Sequence, residues 1–285
     1  MPTPRAAIIV VNWNRRDDTL ECLESLSKLT YWNFRIILVD NASTDGSAAA
    51  VRSRFPDVKI IEADRNLRFA GGNNLGLNDV LTGGDDFALL LNNDTTVDPL
   101  CLDHLIEAAR SDEHVGLVGP KILYHHRPDV IWFAGGVLKP IWGYVRHLGL
   151  RRLDDGHFDR RLEVTFLTGC CLLIRRQVIE KIGLLDEGFY LYSEDADYCL
   201  RASKASYLMI YEPEARIYHK VSQSSGGAYQ LAKWRQRYRS LFRFVRKHNP
   251  PYTWPLFAMN LVWELVSLPV NAFLQIRSLP SPKSQ

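Results

Sequence analysis

Asp40, Asp94, the pair Glu194-Asp195 and His219 are the side chains of this sequence best suited to joint chemistry. Asp94 closes the stretch Leu89-Leu90-Leu91-Asn92-Asn93-Asp94, an apolar run that breaks into small polar residues. A carboxylate fixed at the end of a buried strand can hold a divalent cation, and such a cation can hold a diphosphate. His219 adds an imidazole, a good ligand for a transition ion such as Mn2+ beside a carboxylate. Asp40, Asn12 and Asn14 also follow apolar runs. A carboxylate there can accept a nucleobase ring N–H, and an amide offers both donor and acceptor. Ser193-Glu194-Asp195-Ala196-Asp197 puts three acids in the first turn of a predicted helix, where one could serve as general base. Each of these residues also has a plain structural reading. Asn/Asp turns bond their own backbone, and acids behind a serine cap stabilise a helix dipole.

The elements that must position them follow from apolar periodicity. Ala6 to Val11, Phe34 to Val39, Val58 to Ile61 and Phe87 to Leu91 are short continuous apolar or β-prone runs, as expected of strands buried in a parallel sheet. Asp17 to Leu29 has helical spacing at Leu20, Leu23 and Leu26, with Asp17 or Asp18 as a predicted cap, and a second helix is expected over Ser47 to Phe55. Asn66 to Asn74 reads as a Gly/Asn-rich loop opening a further helix. Its glycines would let backbone approach an anion. The alternation predicts an α/β fold with a mostly parallel sheet flanked by helices. Crossover geometry then gathers the polar clusters at one sheet edge, where ligands of open α/β sheets bind. Beyond it, Leu102 to Ala109 reads as a helix and Val115 to Val118 as a strand. Residues 121–161 read as short strands and a long mobile loop, Val164 to Arg175 as one strand with Thr168-Gly169 in its middle, and Gln177 to Ile182 as a helix closed by Gly183. Tyr207 to Tyr211 and Arg216 to His219 read as two short strands, and the Gly/Ser-rich run after His219 as a flexible lid.

Some chemistries are excluded. The first strand ends in Asn12-Trp13-Asn14, without the Gly-x-Gly-x-x-Gly of a nicotinamide or flavin site, and no Gly-x-x-x-x-Gly-Lys phosphate loop occurs. A mononucleotide site with an acidic, metal-dependent grip on a diphosphate remains. Five cysteines, an odd number without metal-ligand spacing, point to reduced, partly buried thiols and a cytosolic setting. The N-terminus lacks the pattern of a signal peptide.

The ordered set is specific where its members are not. Val10-Val11-Asn12-Trp13-Asn14, Val39-Asp40-Asn41-Ala42-Ser43-Thr44-Asp45-Gly46, Asn66 with Phe69-Ala70-Gly71-Gly72-Asn73-Asn74, Leu91-Asn92-Asn93-Asp94, Thr168-Gly169, Glu194-Asp195-Ala196-Asp197 and His219 together resemble family 2 of the nucleotide-sugar glycosyltransferases, which have the GT-A fold. The likeness spans about residues 6–227 and is nearest to the bacterial rhamnosyltransferase-like branch. It implies that Asn12, Asn14 and Asp40 bind the nucleotide, with Asn66, Gly71, Gly72 and Asn74 lining its pocket. Asn92, Asn93, Thr168 and Gly169 belong to the same nucleotide-sugar site. Asp94 would match the last acid of the Asp-x-Asp metal motif, and His219 would complete the metal or diphosphate site, with Mn2+ or Mg2+ as cofactor. Asp195 would be the general base and Glu194 its orienting partner or alternative. The sequence departs from the pattern at Asn92, in place of the first acid, and at Arg68, in place of a glycine. That arginine could instead reach a phosphate. The implied activity is inverting transfer of rhamnose or a similar hexose from a dTDP or UDP sugar. The acceptor would be a hydroxyl of a cell-surface glycan or of a lipid-linked acceptor, as in polysaccharide and cell-wall biosynthesis.

Charge divides the chain. From Lys220 onward there are ten Lys/Arg and one acid, Glu264, a balance of +9, which leaves −6 on residues 1–219. Tyr229 to His248 reads as a basic amphipathic helix with Trp234, Tyr238, Leu241 and Val245 on one face. Trp254 to Leu274 is apolar but interrupted by Asn260, Glu264, Pro269 and Asn271, so it suits the membrane interface better than a span. A helical hairpin packed on the domain or in a dimer seam is the other reading. The expected organisation is a transferase domain over 1–227, a helical extension over 228–277 and a disordered tail over 278–285. The protein would lie at the inner face of the cell membrane, with peripheral contact through 229–277 and a possible homodimer. Two further functions are weighed. A sugar-phosphate nucleotidyltransferase would need a basic Gly-rich loop after the first strand, and none is there. A nucleic-acid-binding module would use the basic tail, but the acidic body opposes it, so no nucleic acid is expected.

Overall fold

The computed structural model describes residues 3–190, 192–221, 231–259 and 261–262. The Gly/Ser-rich run over 222–227, most of the apolar stretch past 262 and the tail over 278–285 lie outside the described residues.

The first half alternates as expected: β1 (Ala6–Asn12), α1 (Arg16–Leu26), β2 (Phe34–Asp40), α2 (Ser47–Arg54), β3 (Lys59–Glu62), α3 (Arg68–Gly83) and β4 (Phe87–Asn92). These are followed by β5 (Thr95–Val97), α4 (Cys101–Arg110), β6 (Val115–Tyr124), β7 (Arg127–Phe133), β8 (Gly136–Lys139) and β9 (Tyr144–His147). The chain continues through β10 (Leu162–Glu163), β11 (Cys171–Arg175), α5 (Arg176–Ile182), α6 (Glu194–Lys204), β12 (Leu208–His219) and α7 (Leu231–His248). The main sheet runs β10-β12-β6-β11-β4-β1-β2-β3, with β5 added to β12 and β7 to β6. β3, β2, β1 and β4 are parallel, while β11 runs antiparallel to both β4 and β6. The sheet is therefore mixed, and its parallel half carries the crossover helices.

Register does the first part of site assembly. Asn12 pairs with Asp40 and Val11 with Asn92, so the polar ends of three strands lie at one edge. Continuous apolar β1 is buried from Ala6 to Val10, as a strand covered on both faces must be. β5 then pairs antiparallel with β12, setting His219 opposite Thr95, and the Lys220 N–H donates to the Asp94 carbonyl at 2.9 Å.

Several expectations need correction. Asp17 and Asp18 do not cap α1; Arg15 is the cap residue without a side-chain bond, and Asp18 pairs instead with Lys220 at 2.6 Å. The Gly/Asn segment is not a loop up to Asn74. The helix begins at Arg68 and includes Gly71, Gly72 and Gly76. These glycines serve helix-on-sheet approach: a Cβ on Gly72 would lie 2.7 Å from Val11 Cγ1, and one on Gly76 2.5 Å from Ile9 Cγ2. The 164–175 strand is only Cys171–Arg175, because the Gly169 N–H is committed to Asp195 rather than to a ladder. The two strands expected near 207–219 are one, β12, with an irregularity between Glu212 and Arg216 around Pro213. Ser193 has φ +69° and makes no cap bond. The 121–161 region is strands plus an anchored loop. Fully buried Lys121 binds Asp154 at 2.7 Å and also Asp159, which fixes the loop that follows β9.

Helix α7 lies against the body. Val245 and Phe244 are buried, and Arg243 and Lys247 pair with Asp186 at 3.0 and 2.7 Å. Part of the basic tail is thus neutralised by the acidic body. Among the described residues, no helix is long and apolar enough to cross a membrane. All five cysteines are buried and free.

Candidate active site

The nucleotide side is built around a buried amide. Asn12 Nδ2 donates to Asp40 Oδ1 at 2.9 Å and to Ser43 Oγ at 3.0 Å. Its Oδ1 accepts from Thr19 Oγ1 at 2.9 Å and Asn93 Nδ2 at 3.0 Å. Both donors and both lone pairs of Asn12 are used, so it acts by holding Asp40 and Asn93 in place rather than by offering a free group. Asp40 accepts from Asn12, from Ser43 Oγ at 2.5 Å and from the Ser43 N–H at 3.0 Å, and one acceptor direction on Oδ2 stays open. Asn14 sits at φ +53° and its Oδ1 takes the Thr44 N–H at 2.7 Å, which shapes the rim. Asn66 Oδ1 accepts the Arg68 N–H at 2.8 Å and so starts α3.

Two positions make contacts within the protein. The Asn74 side chain is engaged on both ends of its amide. Its amide donates to the Leu185 carbonyl at 3.0 Å and Glu187 Oε1 at 2.9 Å, and accepts from the Leu185 N–H at 3.0 Å, tying α3 to the segment before α6. Arg68 occupies a left-handed conformation, φ +63°, at the position where the family resemblance implies a glycine, and its guanidinium lies 3.5 Å over the Tyr190 ring. It bridges the nucleotide side to the segment before α6. The loop residue that sequence reasoning left unassigned is Asn41. Its Oδ1 is buried without a partner while its Nδ2 donates to the Arg68 carbonyl at 3.0 Å. Its place directly after Asp40 was the available signal.

The second corner is Asp94 with His219, Oδ1 to Nε2, at 3.1 Å. Asn93 anchors the turn below it through Asn12 and Thr19, and the Asn92 carbonyl takes Thr95 Oγ1 at 2.7 Å. Burial works against the charged carboxylate, yet the bond and charge of His219 hold Asp94 below the usual range. Burial likewise opposes the imidazolium, but the Cys170 sulfur and Asp94 push His219 up to about 10. His219 Nδ1 is buried without a partner, and Trp132 meets the ring edge-on at 4.8 Å. This imidazolium–carboxylate pair becomes a metal-type donor pair once a cation displaces the proton on Nε2. Among the described residues, no group of three or more His, Cys, Asp or Glu is placed to hold a metal ion. The donor set therefore fits an ion with few protein ligands, the kind that completes its sphere with substrate phosphates.

The third corner is the start of α6. Asp195 is partly exposed and accepts the Gly169 N–H at 3.2 Å and the Ala196 N–H at 2.8 Å. Burial pushes its carboxyl up, partly offset by those two N–H groups. Glu194 is buried, with Oε2 unpartnered, and burial plus the Asp195 charge raise it to about 8. Tyr192 and Ser193 both have φ +69°, a strained entry of the kind found at functional sites. Asp197 faces the other way. Arg201 and His248 bind it at 2.8 and 2.7 Å, with Lys247 at 2.7 Å, and these bonds bring it down to about 2 against burial.

A three-residue segment joins the corners. The Gly169 N–H binds Asp195, the Cys170 carbonyl takes the Asn92 N–H at 2.9 Å, and Cys171 pairs with Leu91 of β4. Gly169 is required by crowding, since a Cβ would lie 2.6 Å from Phe69 Cζ. Thr168, buried beside it, takes the Cys170 N–H at 3.3 Å. An acceptor carboxylate, the Asp94–His219 pair and an acid pair with one buried member thus line the C-terminal edge of a mixed α/β sheet.

The fold around them is of the GT-A type, and solved structures of that fold resemble it. GalNAc-T7 with UDP, GalNAc and Mn2+ aligns with a TM-score of 0.60 and 15% identity, covering 76% of this chain and 44% of the other. The mannosyltransferase PcManGT from Pyrobaculum calidifontis, with GDP-Man and Mn2+, gives 0.56 and 17%, covering 96% and 79%. Residues 7–183 match the model of Glycosyl transferase family 2, and the chain belongs to that family. It is a glycosyltransferase. Among its relatives is the N-acetylglucosaminyl-diphospho-decaprenol L-rhamnosyltransferase of Mycobacterium tuberculosis, 29% identical over 77% of either chain. The dTDP-rhamnosyl transferase RfbF of Shigella flexneri is 21% identical over 85% of this chain and 80% of its own.

Proposed function

We propose that this glycosyltransferase moves a rhamnosyl or similar hexosyl group from a nucleoside-diphosphate sugar to a hydroxyl of a glycan or lipid-linked acceptor, with inversion. The observation that carries it is Asp195. It is a partly exposed carboxylate that burial raises above the usual carboxylate range, one short segment away from the Asp94–His219 pair. A base works best when its pKa approaches the working pH. Asp195 takes the proton of the acceptor hydroxyl as that oxygen bonds to the anomeric carbon. The bond from this carbon to the diphosphate oxygen breaks, and its electron pair leaves with the nucleoside diphosphate. Attack opposite the leaving group inverts the centre. Asp40 and the rim at Asn14 and Asn66 bind the nucleoside. Glu194, protonated near neutrality, keeps a second negative charge away from Asp195. Asp94 and His219 would hold a divalent ion, Mn2+ or Mg2+, which when bound neutralises charge on the departing diphosphate.

The names of two relatives, a rhamnosyltransferase acting on a diphospho-decaprenol acceptor and a dTDP-rhamnosyl transferase, support a dTDP-linked deoxyhexose as donor and a lipid-linked acceptor. The test is a panel of dTDP, UDP and GDP sugars with Mn2+ or Mg2+. Donor binding is read by calorimetry, transfer by product mass, and the anomeric configuration of the product by NMR. One donor class should bind and give the inverted linkage. Retention of configuration, or full activity in Asp195→Asn, refutes the mechanism.

A further inference from the structure

The β8–β9 ribbon has two unlike faces. Its inner face is locked to the active site. The Leu138 N–H donates to Thr165 Oγ1 at 2.8 Å, the Phe166 N–H donates to the Gly136 carbonyl at 3.2 Å, and the chain runs on from Phe166 to Gly169 on Asp195. His147 stacks on Phe166 at 5.8 Å and meets Trp132 at 5.1 Å, and Trp132 in turn contacts His219. Burial lowers His147 to about 4, so this inner wall is uncharged at neutral pH.

The outer face is a cationic cleft. Val137 lies opposite Arg146 and Lys139 opposite Tyr144. With Trp142 these residues line a cavity of about 420 Å³. Other cations of the body and of α7 are neutralised internally: buried Lys121 by Asp154 and Asp159, Arg243 and Lys247 by Asp186. Lys139 and Arg146 have no carboxylate partner among the described residues, and both are exposed. The ribbon tip rests on the C-terminal helices. A Cβ on Gly143 would lie 3.0 Å from Leu241 and 3.1 Å from Phe257, and Asn249 Nδ2 donates to the Pro140 carbonyl at 2.7 Å. Next to this contact Ile141, Leu256 and Met259 are exposed apolar side chains.

We infer that this cleft is the acceptor's phosphate subsite: Lys139 and Arg146 hold the phosphate of a polyprenyl-phosphate-linked acceptor, Trp142 and Tyr144 flank it, and the apolar corner at Ile141, Leu256 and Met259 meets its lipid chain. The charge pattern selects this occupant. Two unpartnered cations over aromatic walls suit a compact anion with apolar matter attached. The nucleotide's own diphosphate is served by the separate corner at Asp94 and His219. The ribbon's rigid connection to Thr168-Gly169 would fix the distance between phosphate and base, so that a sugar hydroxyl between them reaches Asp195. The inference rests on the acceptor half of the proposed function.

The test uses the full chain. Wild type and the double variant Lys139→Ala/Arg146→Ala are compared for binding to phosphatidylcholine vesicles that carry polyprenyl phosphate, and to vesicles with equal phosphatidylglycerol. Donor binding is measured in parallel. The expected result is preferential binding to polyprenyl phosphate, weakened on the order of 100-fold in the double variant, about tenfold for each charge-assisted bond. Donor binding should be unchanged, and Lys139→Arg/Arg146→Lys should restore most of the loss. Equal binding to both vesicle types overturns the inference in favour of a general anionic surface. No binding by wild type, or none lost in the double variant, overturns it outright. Failure of wild type to bind any nucleotide sugar is a different result, and it strikes the donor reading alone.

Discussion

Replacing Glu194 by Gln should make the protein less sensitive to alkali, by an amount the site itself sets. Glu194 is buried with one oxygen unpartnered, and burial plus the charge of Asp195 move it from 4.5 to about 8. A carboxyl whose folded pKa lies above its unfolded one favours the fold while protonated. That contribution is complete below about 4.5 and is lost as pH rises through about 8. Three and a half pH decades at about 1.4 kcal/mol each set a ceiling near ~5 kcal/mol, and relaxation around the ionised side chain lowers it to a few kcal/mol. Gln keeps the neutral shape of the acid without its titration. Urea denaturation at pH 4 and pH 9 should show near-equal stability at the lower pH, with the variant ahead by roughly 3 kcal/mol at the higher. Parallel stability curves for the two proteins across this range would refute the assignment of a raised pKa to Glu194. The same reasoning fixes a kinetic outcome. Glu194 is neutral at pH 7, so its Gln variant should transfer sugar within a few-fold of wild type. Asp195→Asn should fall by about 10²–10⁴-fold, the range for a general base.

Asp94→Ala should lower transfer by about 10²-fold or more and remove the Mn2+ dependence of donor binding, since only His219 remains at that corner. Donor binding that stays Mn2+-dependent in the variant would put the ion elsewhere. Gly76→Ala should destabilise by about 1–3 kcal/mol, because its Cβ would lie 2.5 Å from Ile9 Cγ2. A helix glycine free of contact would instead gain about 1 kcal/mol on this change, so the sign of the measured shift decides. Asp197→Ala should cost about 3 kcal/mol in denaturant unfolding by stranding Arg201, Lys247 and His248, and a loss under about 1 kcal/mol would mean that this network does not hold α7.

What was readable in the sequence was whatever short-range periodicity encodes. Strands β1, β2 and β4 are apolar runs that stop at polar residues, and α6 begins at its acids, so the sheet edge could be located from residue types alone. The beginning of α3 could not. Gly71, Gly72 and Asn74 look like a loop because glycine lowers helix propensity, and only the packing of Gly72 and Gly76 on β1 explains why they stand in a helix. The Asp94–His219 contact depends on β5, three residues long, pairing with β12. Three residues carry no period. Asn74 likewise looked like a ligand residue, and its partners Leu185 and Glu187 lie 111 and 113 residues away.

The basic tail shows most clearly how a correct sequence feature acquires a different consequence in three dimensions. A balance of +9 after residue 219 suggested an external anion. Yet Lys247 and His248 at the end of α7 bind Asp197, two residues from Asp195, and Arg243 binds Asp186 in the segment that Asn74 also holds. The Asp197 carboxylate is fully buried, so its ion pairs are screened far less than surface ones. They act on the first turn of α6, whose entry at Tyr192 and Ser193 is strained. A strained turn persists only when its surroundings over-determine it. The C-terminal helix is therefore part of what fixes the base-bearing turn. The cations left for an outside partner on the neighbouring ribbon, Lys139 and Arg146, come from the body of the chain rather than from its basic tail.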